Sequence, residues 1–324
     1  MNVTDAIIVI TGASSGIGRA TALACAERGG TVVVSARRSH ALEQLAQECS
    51  NLGGNAVAIP ADVTDPDAMD ALASGTIEKF GRIDVWFNNA GVTVAGNFDE
   101  VPPDVYRQVI ETNLFGVING TRSVLPYMRE QGSGIIINHS SVLGKFGASQ
   151  FSAYSTSKAA IIGFSESLRQ ELRGSGINVC LLLPAAIDTP IYNQAANFSG
   201  LGVRPVEPIY PAELAAQEVI GLIERPRAEV YVGNSGRAGS FARKVTPFAA
   251  SDRAIGTTWE QDHFTPNPAD PSRGNVFEPD SNPDHAKTSG GWPVSEGSST
   301  PYVAAGIAAA AIPAAYLLRS RSKK

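Results

Sequence analysis

Apolar residues gather in seven short runs over the first 233 positions, at 6–10, 31–35, 56–59, 83–87, 134–138, 177–183 and 229–232. The first of them, Ala6-Ile7-Ile8-Val9-Ile10, is continuous rather than alternating. That is the pattern of a strand covered on both faces. Between the runs lie stretches with helical spacing of apolar residues, at 16–28, 39–52, 66–80, 103–130, 152–173 and 211–224. The first of these carries Ala20, Leu23, Ala24 and Ala26 and stops at Gly29-Gly30, a helix-ending signal. Strands alternating with helices predict an α/β fold, a doubly wound, parallel, seven-stranded sheet of Rossmann type with right-handed crossovers.

The pattern changes near Gly233. The stretch 236–264 predicts one more helix, rich in Ala, Phe and Arg. From 265 to 301 the chain is dense in Pro, Gly, Ser, Asn and Asp, which predicts an irregular or disordered linker. Residues 302–318 carry no charge, and Arg319, Arg321, Lys323 and Lys324 follow. As a helix this run would reach about 26 Å, against a hydrocarbon core of roughly 30 Å. Its alanines and Pro313 weigh against spanning. Membrane association through residues 302–324 stands open beside a soluble Ala-rich helix or arm. The expected organisation is a catalytic and cofactor-binding domain at 1–235, a helix within 236–264, a linker at 265–301 and the apolar tail at 302–324.

Composition narrows the partners. A net charge of −5 gives no reason to expect nucleic acid. Cys25, Cys49 and Cys180 are scattered, with no C-x-x-C pair and no metal cluster. They suit a reducing, cytoplasmic compartment. The first strand begins within the opening ten residues, so no signal peptide is expected.

The first strand runs directly into Thr11-Gly12-Ala13-Ser14-Ser15-Gly16-Ile17-Gly18 and then a helix. Strand, glycine-rich turn and helix form the context in which backbone N–H groups cradle a dinucleotide pyrophosphate. The same turn contains Gly12-Ala13-Ser14-Ser15-Gly16, which matches the G-x-S-x-G elbow of serine hydrolases. Only one strand precedes it, and none of His40, His139, His263 and His285 has a convincing base context. A serine hydrolase is therefore an alternative with little behind it. Further along, Tyr154 and Lys158 stand four residues apart, on one face of a helix. A nearby cation is expected to lower the phenol's pKa and ready it for proton exchange with a carbonyl or hydroxyl.

These motifs, with Asp62-Val63, Asn88-Asn89-Ala90-Gly91, Asn113, Ser141 and Pro184…Ile187-Asp188-Thr189 in the same order, resemble the short-chain dehydrogenase/reductase family in its single-domain branch. The resemblance covers residues 6–233. It implies a nicotinamide-dependent oxidoreductase that moves a hydride between the cofactor and a carbonyl or alcohol carbon. It implies that Tyr154 exchanges the substrate proton, and that Lys158 tunes the tyrosine and holds the nicotinamide ribose. Ser141 would orient the substrate oxygen, its thirteen-residue distance from Tyr154 favouring it over Ser140. Asn113 would help to hold a water that links the lysine to solvent. Asp62 would accept from the adenine amino group, with Val63 beside it. Asn89, Ala90 and Gly91 would wall the cofactor, and Thr189 would bind the carboxamide, helped by backbone near Pro184 and Ile187. Thr11, Gly12, Ser14, Ser15, Gly16, Ile17 and Gly18 would form the phosphate turn. Family members commonly carry Pro-Gly where this chain has Pro184-Ala185, which fits if φ at Ala185 is negative.

The second strand ends in Ala36-Arg37-Arg38 with no carboxylate. NAD enzymes place one there for the ribose hydroxyls, whereas a guanidinium suits a 2′-phosphate. NADP(H) is therefore expected over NAD(H), bound by Arg37 with help from Arg38, in the direction of carbonyl reduction. Phe98, Phe146, Phe151, Tyr192 and Phe198 in the flanking loops point to an apolar or aromatic ketone or aldehyde. A homodimer or homotetramer is expected. An inactive regulatory protein of the same fold is the non-enzyme alternative, disfavoured because all four catalytic positions are filled.

Overall fold

The computed structural model describes residues 1–245, Asp252, Trp259 and residues 262–295. Seven strands form one sheet: β1 (Ile7–Thr11), β2 (Thr31–Ser35), β3 (Asn55–Ala58), β4 (Val85–Asn88), β5 (Gly134–His139), β6 (Ile177–Pro184) and β7 (Glu229–Val232). All neighbours are parallel, in the order β7-β6-β5-β4-β1-β2-β3. Among the described residues eight α-helices accompany them: α1 (Gly16–Ala26), α2 (Ser39–Asn51), α3 (Pro66–Phe80), α4 (Pro103–Ile110), α5 (Gly116–Gln131), α6 (Ser152–Glu171), α7 (Ala212–Glu224) and α8 (Asn234–Val245).

The continuous apolar runs follow from burial on both faces. Ile8, Ile10, Val32 and Val34 pack with Ala22, Leu42 and Ile220 from α1, α2 and α7. Val9, Val33 and Ile136, one residue out of phase, pack with Leu72, Val124 and Leu168 from α3, α5 and α6. Strand alternation thus sends successive apolar residues into two cores. The strand order reverses between β1 and β4, so a crevice opens at their carboxyl ends.

One expectation changes. The helix expected over 103–130 is divided by a π-helical turn at Glu111–Phe115, because the Asn113 side chain is drawn across to the loop at Val92. The stretch expected to be an irregular or disordered linker has little regular structure over 269–295, and it is laid over the carboxyl end of the sheet. Phe264–Pro268 pairs antiparallel with Leu201–Val203, and Ser272 exchanges two main-chain bonds with Asn197, at 2.8 and 2.9 Å. Val276 and Phe264 anchor it in apolar pockets. This strap, residues 262–295, needs no core of its own because the domain supplies the partners. The helix expected within 236–264 is met in part by α8, and Phe264 already belongs to the strap. Among the described residues no helix is long and apolar enough to cross a membrane. The tail at 302–324 lies outside the described residues.

A buried polar ladder ties β4 to β5 and the helices behind them. Trp86 Nε1 donates to Asn88 Oδ1 at 2.8 Å. Asn88 Nδ2 donates to Asn138 Oδ1 at 2.9 Å and to Thr121 Oγ1 at 3.1 Å, and Asn138 Nδ2 continues to Ser165 Oγ at 2.9 Å. Asn88→Ala strands the indole N–H and the Asn138 carbonyl oxygen. We expect a loss of about 2–4 kcal/mol, measured as a lower urea midpoint at unchanged m-value. A loss below about 1 kcal/mol would mean that the ladder is not structural.

Candidate active site

The crevice is shaped first by close backbone approach. Gly12 has φ 64°, and a Cβ there would sit 2.6 Å from Ala90 Cα. A Cβ on Gly18 would meet Asn89 Nδ2 at 2.5 Å. Both positions therefore exclude any side chain. Thr11 Oγ1 accepts from Asn89 N at 3.0 Å and Ala90 N at 3.2 Å, and Asn89 Nδ2 donates to the Thr11 carbonyl at 2.9 Å. The turn after β1 and the turn after β4 are thereby sewn together. Ser15 caps α1 with its carbonyl, which accepts from Arg19 N. Ile17 and the side of Gly91 face the same cleft.

Tyr154 and Lys158 share one face of α6, with Lys158 Nζ 5.5 Å from the tyrosine ring centroid. Lys158 is buried and donates to the His139 carbonyl at 2.8 Å. Ser141 is hydrogen-bonded to the Tyr154 hydroxyl and accepts from Leu143 N at 3.1 Å. Ser140, its neighbour, donates instead to the Lys158 carbonyl at 2.7 Å, so it supports the helix that carries the pair. Asn113 is fully buried. Its Oδ1 accepts from Val92 N at 2.8 Å, and its Nδ2 donates to the Val92 carbonyl and to Ser157 Oγ, each at 3.0 Å.

The electrostatics correct one expectation. Burial pushes the Tyr154 phenol up to about 12, and the bond to Ser141 only partly offsets it. Burial also brings Lys158 down from an ordinary 10.5 to about 7. In the resting site burial outweighs whatever the lysine contributes to the tyrosine. Each group sits where a lone charge is poorly solvated, and the ammonium is directed to a carbonyl rather than to the phenol.

At the adenosine end, Asp62 Oδ1 accepts from Thr64 N and Oγ1, at 2.9 and 2.8 Å, while the residue lines the cleft. The Val63 carbonyl accepts from Asn119 Nδ2 at 3.0 Å. Thr189 is buried over Gly16. Pro184 ends β6, and Ile187 pairs with Tyr210. Gln150 is the one non-glycine with positive φ among the described residues, so Ala185 needs no left-handed backbone.

The arginines are arranged otherwise than expected. Arg37 donates from both terminal nitrogens to strap carbonyls, those of Phe277 and Asn275, each at 2.7 Å. It is a strap anchor because those carbonyls reach it first. Arg38 reaches Ser14 Oγ at 3.1 Å and the His285 carbonyl at 3.3 Å, and its Nη1 is buried without a protein acceptor among the described residues. Burial works against its charge, and Asp280 on the strap works for it. The Ser14 hydroxyl therefore faces a guanidinium, which cannot act as a base. This removes the geometric case for a hydrolase elbow.

A dinucleotide fits this chain on its own evidence. The glycine cradle at Gly12 and Gly18 excludes side chains, and Arg38 leaves a buried cationic donor open. Several contributors carry no sequence signal. His139 is held neutral by burial, binds Asn89 Oδ1 and offers its carbonyl to Lys158. Strap carbonyls act through the main chain, and that of Lys287 accepts from Gly16 N at 2.9 Å. Asp188 accepts from Ser289 Oγ, Gly290 N and Trp292 N, at 2.5, 2.9 and 3.0 Å. Of the five loop aromatics, Phe151 and Tyr192 gather beside Tyr154. Phe98 is 74% exposed, and Phe198 packs with Val92 and Val94.

The fold and the crevice define a class, dinucleotide-binding oxidoreductases with a tyrosine and a lysine on one helix. The chain belongs to the short chain dehydrogenase family, whose pattern matches residues 6–199. It is 34% identical over 273 residues to the uncharacterized oxidoreductase YxnA of Bacillus subtilis, across 82% of this chain and 76% of that one. It is 38% identical over 191 residues to the 3-oxoacyl-[acyl-carrier-protein] reductase FabG of Thermotoga maritima, across 59% and 78%. Among solved structures, a short-chain dehydrogenase from Streptomyces avermitilis superposes with a TM-score of 0.66 at 32% identity, covering 79% of this chain and 96% of that one. An alcohol dehydrogenase from Thermococcus sibiricus, complexed with 5-hydroxy-NADP, gives 0.62 at 26%, covering 70% and 95%.

The buried lysine makes a stability prediction. Its folded pKa of about 7 lies below the ordinary 10.5. Between those values the unfolded chain binds the extra proton, so Lys158 makes stability rise with pH through that window. Below about 7 its cost to folding is greatest. The stability of wild type relative to Lys158→Met should therefore climb from pH 7 to 10 in urea titrations. A difference flat with pH would contradict the burial of an ionisable amine.

Proposed function

We propose that the chain is an NADP(H)-dependent carbonyl reductase that converts an apolar ketone or aldehyde to its alcohol. One observation carries this reading. Tyr154, Ser141 and Lys158 come together beside the glycine-cradled crevice, with Lys158 Nζ 5.5 Å from the Tyr154 ring centroid and Ser141 bonded to the Tyr154 hydroxyl. The turn from Thr11 to Gly18, with Asn89, Ala90, Gly91 and Thr189, would hold the cofactor, which supplies the hydride. Ser141 would donate to the substrate oxygen and orient it. Tyr154 would give its phenolic proton to that oxygen as the carbon is reduced. The phenolate left behind is costly alone, and so is the lysine's ammonium. Together they offset each other, so forming one raises the preference for the other. Lys158 would therefore take up a proton from solvent as Tyr154 gives its own to the substrate oxygen, and Asn113 fixes the loop and the helix on either side of the pair. Catalytic residues within 1–235 and a strap that borders the cofactor cleft make up this working unit.

Tyr154→Phe should lower kcat by about 10²- to 10⁴-fold while NADPH still binds by fluorescence titration. Retention of more than half the activity would refute the role.

The 2′-phosphate is assigned to Arg38 and Ser14, because Arg37 is committed to the strap. Arg38→Ala should raise the KM for NADPH about 10- to 100-fold, the scale of one charged hydrogen bond. Arg37→Ala should change it much less. NAD(H) is the second reading, favoured by Asp280, a carboxylate that reaches the cleft from the strap. The ratio of kcat/KM for NADPH and NADH separates the two. Equal or better use of NADH would transfer the adenosine ribose to Asp280.

A further inference from the structure

Beyond the family-matched residues, the strap brings a group of aromatic rings to the substrate side of Tyr154. His263 stacks on Trp259 with ring centroids 4.4 Å apart and meets Phe151 edge-on at 4.4 Å. Tyr192 lies 5.8 Å from His263 and 6.2 Å from Trp292. Tyr154 and Trp259 pack against the same cluster as Phe151 and Phe264, and Tyr192 is close enough to Tyr154 for their charges to interact.

Rings alone would make this a docking core for the strap. The polar atoms do not fit that reading. Buried side-chain nitrogens and oxygens almost always have partners. Among the described residues, seven such atoms have none, and four of the seven belong to this group: Trp259 Nε1, both ring nitrogens of His263, and Trp292 Nε1; a fifth, Gln150 Oε1, is on the residue next to Phe151. His263 is 1% exposed. Gln150 is also held at φ 62°, a strained conformation that accompanies functional positions. A docking core would have replaced these atoms with hydrocarbon, since an unpartnered buried polar atom is costly.

We propose that the strap builds the distal wall of the substrate site, and that this wall selects aromatic carbonyl compounds bearing a hydroxyl on the ring, away from the reacting carbon. The rings take a flat apolar body. Burial holds His263 at about 3, so its imidazole is neutral at pH 7. It then offers one donor and one acceptor, and a hydroxyl both accepts and donates. The indole N–H groups of Trp259 and Trp292 add donors only. Among the described residues, a carboxylate or phosphate finds no free cation on this wall. Arg204, the charge that acts on His263, directs its guanidinium to the Asp262 carbonyl at the exposed side. The inference rests on the reductase reading for its chemistry and on the unpartnered atoms for its specificity.

The test uses the full-length protein, NADPH and three probes: acetophenone, its para-hydroxy derivative, and cyclohexyl methyl ketone. The wild type should favour the para-hydroxy ketone over acetophenone by about 10-fold or more in kcat/KM, and acetophenone over the saturated ketone. His263→Phe keeps a ring and removes both nitrogens. It should erase most of the hydroxyl preference, read as the ratio of kcat/KM for the two aryl ketones. Trp259→Phe, which removes one donor, should reduce the same preference and serves if His263→Phe does not fold. An unchanged hydroxyl preference in the folded variants, or equal use of the saturated ketone, overturns the proposal. If no probe is turned over, the reductase reading fails and binding alone judges the wall. Two of the three tryptophans, Trp259 and Trp292, report on it by fluorescence. Quenching that depends on the para-hydroxyl and on His263 supports the wall, and equal quenching by both aryl ketones overturns it.

Discussion

The approach of the turn after β1 to the turn after β4 is the constraint from which the site follows. At that place the sheet's connections diverge to opposite faces, and the two turns meet across the gap. Thr11 Oγ1 accepts two main-chain N–H groups from Asn89 and Ala90, while Asn89 returns a bond to the Thr11 carbonyl. Contact this close leaves no space for a Cβ at Gly12 or Gly18. The start of α1 is fixed as a result, and so is the position of its unpaired N–H groups. The same Asn89 holds His139, whose carbonyl aims Lys158. The phosphate turn and the acid–base pair are thus set by one stitched contact.

The second governing term is desolvation. Lys158 and Tyr154 both lie away from water, and each is driven toward its neutral form. The sequence spacing alone implied a permanent ammonium beside a phenol. The fold replaces that picture with two weak charges that favour each other only when both appear. Such a pair can move one proton with little net change in buried charge, which suits a group that must exchange protons near neutral pH.

Most of the sheet could be read from the chain because its strands are buried on both faces. A run such as Ile7 to Ile10 is legible without knowing its neighbours. The motifs were legible because glycine, tyrosine and lysine act there through their own side chains, or through the lack of one. The π turn at Glu111–Phe115 was not. Its residues have ordinary helical character, and the break comes from Asn113 reaching a loop twenty-one residues away. The role of Arg37 was misread for a similar reason. Its partners are main-chain carbonyls of Asn275 and Phe277, which no residue type announces. Composition predicted an irregular or disordered segment at 265–301, and residues 269–295 have little regular structure. It described how little core that segment could build by itself, and it was silent on the partners waiting on the domain.

Those partners make the strap more than a cover. Its apolar anchors are few, with Val276 and Phe264 the most buried, so its position depends on hydrogen bonds to the site itself. The single N–H of Gly16 is taken by the Lys287 carbonyl, and Arg37 is taken by Asn275 and Phe277. Asp188, next to Thr189, receives three donors from residues 289–292. At its other end the same segment carries His263 and Phe264 to the tyrosine. A backbone that is held by the phosphate turn at one end and packs against the acid–base pair at the other joins two sites that the sheet keeps apart. Gly16 and Arg37 therefore share with the Leu201–Val203 pairing and with Asp188 the work of holding the segment that carries the aromatic wall.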